Sequence, residues 1–329
     1  MVGFLTTQRF FSTFGDEVMA MAAGAGLALE PIVLPAAADE RLDEETLARI
    51  DIAYFSGDLF VMNMTRPFFA AVQGAPNVSW MHCFNAGVDN PVFTRIRQKG
   101  TRLTTSSGSS AEPIAQSVIT GLLMLARRFP LYVESQRRQA WERVPDALVP
   151  PDLSSQTLTV FGLGAIGSEI ARIGRALGLH VIGIRRSPLR DGDPVDEMVP
   201  PARLLTVLPL TDWLALACPL TDETRRIIGA EAIALLPKGA HILNIARGEV
   251  VDESAMIDAL NSGHLAGAYL DVFEVEPLPQ ESPLWSIPNV IVTPHNSSIS
   301  RGNDRRAADF FLRNLKAWAA NQPMENEVP

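Results

Sequence analysis

The sequence predicts an α/β protein made of two doubly wound parallel-sheet domains, the second a Rossmann-type dinucleotide-binding domain inserted into the first. Three observations carry this expectation. Residues 1–105 alternate short apolar strands with helical patterns, a pace that indicates a parallel sheet covered by helices on both faces. A glycine fingerprint lies between two further apolar strands in the second half. The chain of 329 residues is long enough for two domains.

Taken in order, strands are expected at 2–6, 29–34, 52–55, 78–82 and 101–105, with helices near 15–25, 43–49, 65–74 and 90–98. The run Thr104–Ser110 is small and polar and reads as a hinge. Beyond it Ile114, Val118, Ile119, Leu122 and Leu125 share one face of a long helix. Residues 145–151 form a loop, and a second α/β unit runs from about 157 to 294. Its last strand, Val290–Thr293, precedes a helix near 303–320 whose apolar side is Phe310, Phe311, Leu315 and Trp318. The nucleotide unit lies in the second half. Residues 1–109 with 300–329 are therefore expected to form a flavodoxin-like substrate-binding domain, and 110–299 the dinucleotide-binding domain.

Composition narrows the partners. A hydrophobic content of 47% with 20% charged residues suits a globular enzyme, and the net charge of −9 argues against nucleic acid. No apolar run reaches the roughly 18 residues that span a bilayer, so no membrane partner is expected. Arg9 without a neighbouring acid faintly resembles a targeting segment, but the strand Val2–Thr6 accounts for these residues better. Cys83 and Cys218 show neither CxxC nor metal-ligand spacing and read as core residues of a reducing cytoplasm.

The fingerprint itself is the most informative stretch. Strand Leu158–Phe161 feeds Gly162-x-Gly164-x-x-Gly167. Ile166, Ile170, Ile173 and Leu177 then step along one helix face until Gly178, and strand His180–Ile184 follows. Gly162 permits the tight turn, Gly164 the close approach of backbone to pyrophosphate, and Gly167 the close packing of helix on strand. The N–H groups opening the helix, at Ala165, Ile166 and Gly167, would receive the pyrophosphate. After the second strand an NAD site usually carries an acid for the ribose 2′-hydroxyl. This chain has no acid between Glu169 and Asp191; it has Arg185, Arg186 and Arg190. Guanidinium groups bind a 2′-phosphate that a carboxylate would repel, so NADP(H) is the preferred cofactor, with NAD(H) possible.

Three charged residues stand at the ends of elements in the cofactor half: Arg247 after strand His241–Ile245, Glu276 in the loop Leu270–Leu278, and His295 after the last strand. Ligands of open α/β sheets collect at the carboxyl ends of strands. An Arg, an acid and a His suit a keto acid, as a planar cation for its carboxylate, a support for imidazolium and a proton donor. Position alone does not choose between Glu274 and Glu276. His180, His241 and His264 read as structural, while His82 precedes the loop Phe84–Asp89, where Ala86 and Gly87 could present N–H groups to an anion. GxSxG, HExxH, GxxxxGK[ST] and clustered His/Cys metal sets are missing.

With these residues in view, the chain resembles the D-isomer-specific 2-hydroxyacid dehydrogenases over nearly its whole length, from the Asn85–Asn90 loop to the Asn314–Asn326 tail. The motifs are Gly162-x-Gly-x-x-Gly167, Cys218-Pro-Leu-Thr221, Asn244-Ile-Ala-Arg-Gly248, Asp271-Val-Phe-Glu-Val-Glu-Pro277 and Thr293-Pro-His295. The resemblance implies that Glu276, directly before proline, is the working glutamate, with Arg247 and His295 completing the catalytic set. It implies that Ala86, Gly87 and Arg247 bind the substrate carboxylate. Arg185, Arg186, Ser187, Cys218, Pro219, Ala246, Asp271 and His295 would contact the cofactor, with Asp271 and the backbone near Ala246 holding the nicotinamide carboxamide. Ala217 and Gln116 depart from the His and Glu common in the family. The basic pair after the second strand resembles the NADPH-preferring glyoxylate and hydroxypyruvate reductases, which implies a small 2-oxo acid substrate and a homodimer. The alternatives are a non-enzymatic corepressor-like protein of the same superfamily and an NAD-dependent dehydrogenase of a bulkier acid.

Overall fold

The computed structural model describes residues 1–88 and 90–328; Asp89, in the loop noted above, lies outside the described residues. The chain divides into two compact units, Met1–Ser109 with Ser300–Pro329, and Ser110–Ile299. The first unit begins with β1 (Val2–Thr6), α1 (Gln8–Gly24), β2 (Leu29–Val33), α2 (Glu44–Ala48) and β3 (Ile50–Phe55). It continues through α3 (Asp58–Val61), α4 (Thr65–Gly74), β4 (Trp80–Cys83), α5 (Pro91–Gln98) and β5 (Arg102–Thr105). The strands pair in parallel in the order β2-β1-β3-β4-β5, the flavodoxin-like winding.

Helix α1 begins seven residues before the position that apolar spacing suggested. Thr7 caps it, its side-chain oxygen accepting from the Phe10 N–H at 3.1 Å. A Thr before a helical run is a start signal in its own right, and it outweighs the weak apolar spacing of the first turns.

The second unit opens with α6 (Ala111–Ala126) and α7 (Phe129–Arg137), followed by β6 (Thr157–Phe161), α8 (Ala165–Ala176), β7 (His180–Ile184) and β8 (Glu197–Val199). Next come α9 (Leu204–Val207), β9 (Trp213–Leu216), α10 (Ala230–Leu235), β10 (Ala240–Asn244), α11 (Glu253–Asn261), β11 (Leu265–Leu270) and β12 (Val290–Val292). All pairings are parallel, in the order β12-β11-β10-β9-β6-β7-β8. The strand order therefore reverses between β6 and β9, which is where open α/β sheets place ligands. Val118, Leu122 and Leu125 of α6 are buried, and a Cβ on Gly121 would meet the Tyr269 ring at 2.5 Å, so the helix lies close on β11.

The final helix, α12 (Asn303–Ala319), belongs to the first unit. Its Phe311 is fully buried and stacks on Phe4, Tyr54 and Trp80 at centroid distances of 5.2, 4.9 and 5.3 Å. Aromatic packing of this extent ties the last thirty residues to a sheet formed by the first hundred. Among the described residues no helix is long and apolar enough to cross a membrane.

Candidate active site

The three glycines after β6 have three different surroundings. Gly162 has φ +102, and a Cβ there would lie 2.4 Å from the Cys218 nitrogen, so the turn passes directly against the Ala217–Cys218 backbone after β9. A Cβ on Gly167 would lie 2.1 Å from the Gly162 carbonyl oxygen, which explains the close seat of α8 on its strand. Gly164 faces nothing within 4 Å. It is also the N-terminal cap residue of α8, with no side chain bonding the helix end and no acid in the first turn. Open space above unpaired N–H groups at a switch point fits a dinucleotide pyrophosphate. Cys218 itself is buried, and burial raises its thiol to about 11, so it lines the turn as a neutral small side chain.

The basic pair after β7 divides in the structure. Arg185 turns inward: Nε donates to the Ser187 carbonyl at 3.1 Å, Nη1 to Asp193 Oδ1 at 2.9 Å, and Nη2 to the Pro188 carbonyl at 2.6 Å and to Asp193 Oδ2. Its side chain is 14% exposed, and the guanidinium holds the Asp193 carboxyl below the usual range. Arg186 is 81% exposed and lies 3.9 Å from Glu223. Arg185 thus ties the 185–193 loop together through its N–H groups. Asp193 was invisible as its partner, because the pairing depends on how the loop turns back.

The carboxyl ends of β10, β11 and β12 carry the polar set. His295 Nδ1 lies 2.8 Å from Glu276 Oε2, while Glu276 Oε1 accepts from the Phe273 N–H at 3.1 Å. Facing a carboxylate, Nδ1 carries the proton, which leaves Nε2 as the working nitrogen. His295 adopts φ +51, held by its N–H donating to the Asp271 carbonyl at 2.8 Å, and its side chain is 51% exposed. Glu274 instead accepts from Arg226 at 3.1 Å, so geometry selects Glu276.

Asp271 is buried and accepts from the Thr293 hydroxyl and from the Asn296 and Ser297 N–H groups through Oδ1. Its Oδ2 accepts from the Ser297 N–H and hydroxyl. These bonds anchor to Asp271 the loop that carries His295.

Arg247 follows β10 in extended backbone, half-buried, with Nη1 donating to the Ala246 carbonyl at 2.7 Å. Asn244 braces this turn, accepting from the Ala246 N–H at 3.0 Å and donating to the Arg247 carbonyl at 3.1 Å. Gly248 closes the Asn244–Gly248 motif, and a Cβ there would lie 1.8 Å from the Phe273 carbonyl carbon. Only glycine lets the Arg247 turn lie against the loop leading to Glu276. Pro219 follows Cys218 in the loop after β9.

In the first unit, Ala86 is exposed and Gly87 half-buried in the loop after β4. The Asn85 amide donates to the Gly87 carbonyl. His82 is fully buried, bonded to the Thr104 and Ser106 hydroxyls at 2.7 and 3.0 Å, and burial lowers it to about 3, so it is a neutral bridge between β4 and β5. His180 begins β7 on the surface, His264 bonds the Ile233 carbonyl at 2.9 Å, and His241 is buried against Trp213.

A family model described as "D-isomer specific 2-hydroxyacid dehydrogenase, NAD binding domain" matches residues 119–297. A glyoxylate reductase of Korarchaeum cryptofilum is 33% identical over 279 residues, 82% of this chain and 82% of that protein. A D-isomer specific 2-hydroxyacid dehydrogenase from Xanthobacter autotrophicus, solved with NADPH and MES, superposes with a TM-score of 0.77 at 31% identity, covering 100% of this chain and 98% of that one. An NADPH-dependent glyoxylate/hydroxypyruvate reductase from Sinorhizobium meliloti, solved with NADP and sulfate, gives 0.74 at 28% identity, with 100% and 98% covered.

Proposed function

The chain belongs to the D-isomer specific 2-hydroxyacid dehydrogenase family, and we propose that it reduces a small 2-oxo acid of the glyoxylate or hydroxypyruvate kind with NADPH, giving the D-2-hydroxy acid. The observation that carries this reading is the His295–Glu276 pair at 2.8 Å, set at the strand ends of the unit that holds the glycine turn and Arg247. NADPH, when bound, would supply the hydride that reduces C2. His295 Nε2 gives a proton to the carbonyl oxygen as it becomes alkoxide, and the Glu276 carboxylate stabilises the imidazolium beforehand and orients the ring. Arg247 presents its guanidinium to the carboxylate and the carbonyl oxygen, drawing negative charge onto the oxygen as it develops. In the first unit Ala86 and Gly87 offer backbone N–H groups suited to an anionic group.

For the cofactor, the N–H groups of Ala165, Ile166 and Gly167 would hold the pyrophosphate. Arg186, with Ser187 beside it, would meet the 2′-phosphate, while Arg185 keeps the loop in shape. Cys218, Pro219, Asp271 and the backbone at Ala246 would hold the nicotinamide end. The protein works as a homodimer formed through the second unit, where Phe129, Tyr132 and Trp141 are 50%, 42% and 97% exposed.

Initial rates with glyoxylate and hydroxypyruvate, each with NADPH and with NADH, test the reading. Turnover of both acids, faster with NADPH and giving the D-hydroxy acid from hydroxypyruvate, is the expected result. No turnover with any 2-oxo acid, despite NADPH binding, would remove it.

A further inference from the structure

The loop that carries Glu276 is gripped by two side chains outside the reacting set. The Glu274 N–H donates to Glu253 Oε2 at 3.2 Å, and Glu253 is the first residue of α11. The Glu274 carboxylate accepts from Arg226 Nη2 at 3.1 and 3.4 Å. Arg226 lies between β9 and α10, takes φ +50, and donates its own N–H to the Glu249 carbonyl at 2.7 Å. A left-handed arginine is uncommon, and such a conformation persists where its surroundings hold it. Its Nη1 also stands 3.8 Å from Asp252, whose carboxylate caps α11 by accepting from the Ala255 N–H at 3.1 Å. The peptide joining Phe273 to Glu274 rests on Gly248, where a Cβ would lie 2.2 Å from the Glu274 nitrogen. The Phe273 N–H in turn donates to Glu276 Oε1, and Glu276 Oε2 meets His295.

We propose that Glu253 and Arg226 are positioning residues for the Glu276–His295 pair. They clamp Glu274 by its N–H and by its carboxylate, so that the 273–276 segment holds Glu276 against the imidazole. This role rests on the reading of the chain as a 2-oxo acid reductase. A half-buried carboxylate that accepts a backbone N–H makes a charge-assisted bond, stronger than its neutral counterpart. Here it also brings two acids together, because the residue whose N–H it holds is itself a glutamate. Burial raises the Glu253 carboxyl above the ordinary carboxylate range; the Glu274 N–H opposes that, and the Glu274 charge adds to it. Arg226 offsets the Glu274 charge, so an ionised Glu253 can keep the N–H beside it. Glu276 is exposed, and its aim at His295 depends on the segment that carries it. A shift near 1 Å in a positioned group costs up to about 10²-fold in rate.

Glu253→Ala and Glu253→Gln separate the clamp from mere packing. Ala removes the acceptor and should lower kcat for the 2-oxo acid roughly 10–100-fold at unchanged NADPH affinity. Gln keeps an oxygen for the Glu274 N–H and should stay within about threefold of the parent. Arg226→Met should lower kcat about 2–5-fold, as expected of a partly exposed ion pair. Adding Glu274→Gln should restore it, by removing the charge that Arg226 offsets. Nitrogen-15 NMR of His295, assigned with His295→Ala, reads the same effect without turnover. In the parent and in Glu253→Gln the neutral ring should carry its proton on Nδ1, whereas in Glu253→Ala the two tautomers should mix. Equal losses in Glu253→Ala and Glu253→Gln, or an unchanged tautomer in Glu253→Ala, overturn the clamp. Full kcat in Arg226→Met, or a defect that Glu274→Gln leaves in place, overturns the part given to Arg226. Should Glu253→Ala fail to fold, the Arg226 variants decide the matter, since that side chain is 58% exposed. Mixed tautomers in Glu253→Ala, with no turnover of any 2-oxo acid by the parent, keep the clamp and overturn the reductase reading.

Discussion

His295 and Glu276 form one working group, because the carboxylate decides which imidazole nitrogen is protonated and where the ring points. Replacing His295 with Ala should lower kcat by roughly 10²–10⁴, the usual contribution of a placed general acid, with NADPH affinity unchanged; a kcat within about threefold of the parent removes His295 from the mechanism. Arg247→Lys should lower kcat/KM for the 2-oxo acid by roughly 10–150-fold, the worth of one charged hydrogen bond, since an ammonium does not reproduce a planar fork. If cofactor affinity falls instead, Arg247 belongs to the dinucleotide site. The two loop arginines should separate. Arg186→Ala should cut the NADPH preference about 2–5-fold, as expected of an exposed contact. Arg185→Ala should disturb binding of both cofactors, because it releases the carbonyls of Ser187 and Pro188 and the carboxylate of Asp193. Equal use of NADPH and NADH by the parent at low salt would leave Arg186 without this role. The residue types and strand-end positions of Arg247 and His295 were readable directly from the chain. The choice of Glu276 over Glu274 came only from family resemblance, since two glutamates two residues apart in a loop differ only in where the loop aims them.

At the scale of elements, the site depends on loops that lie backbone against backbone. Gly248→Ala should lower kcat/KM by up to about 10²-fold, the effect of a shift near 1 Å in a positioned group, because the new Cβ would sit 1.8 Å from the Phe273 carbonyl carbon and push the Arg247 turn away. Far-UV circular dichroism should change little, and an unaltered kcat/KM would show that the turn has room to spare. The β6–α8–β7 unit was legible because its signals are local: glycine spacing, a 3.6-residue apolar period and a glycine stop. Helices α9 and α10 and strand β8 were not, being three to six residues long, too short for a period to stand out.

Across the whole molecule, each unit buries a histidine. His82 and His241 are both lowered to about 3, chiefly by burial, from an unfolded value of about 6.5. Stability is therefore full above pH 6.5 and falls as pH drops toward 3, by about 1.4 kcal/mol per pH unit for each histidine, because the unfolded chain takes up protons that the native state refuses. The His241 ring stacks on Trp213 at 4.0 Å. His241→Phe keeps the stack, so it should gain about 2 kcal/mol relative to the parent between pH 7 and pH 5 in urea unfolding. A pH-independent difference would mean that His241 is charged in the native protein. What the sequence by itself determined was the class of fold, the glycine turn and the residue types of the reacting set, because strand periodicity, helix spacing and glycine placement act over a few neighbouring residues. Tertiary structure alone decided that Asp193 pairs with Arg185, that Asp271 holds the loop carrying His295, and that Gly248 lies against the Phe273 backbone. Each of these depends on segments that only the packed chain brings within hydrogen-bonding or van der Waals distance, and a linear pattern carries no record of which loop turns toward which.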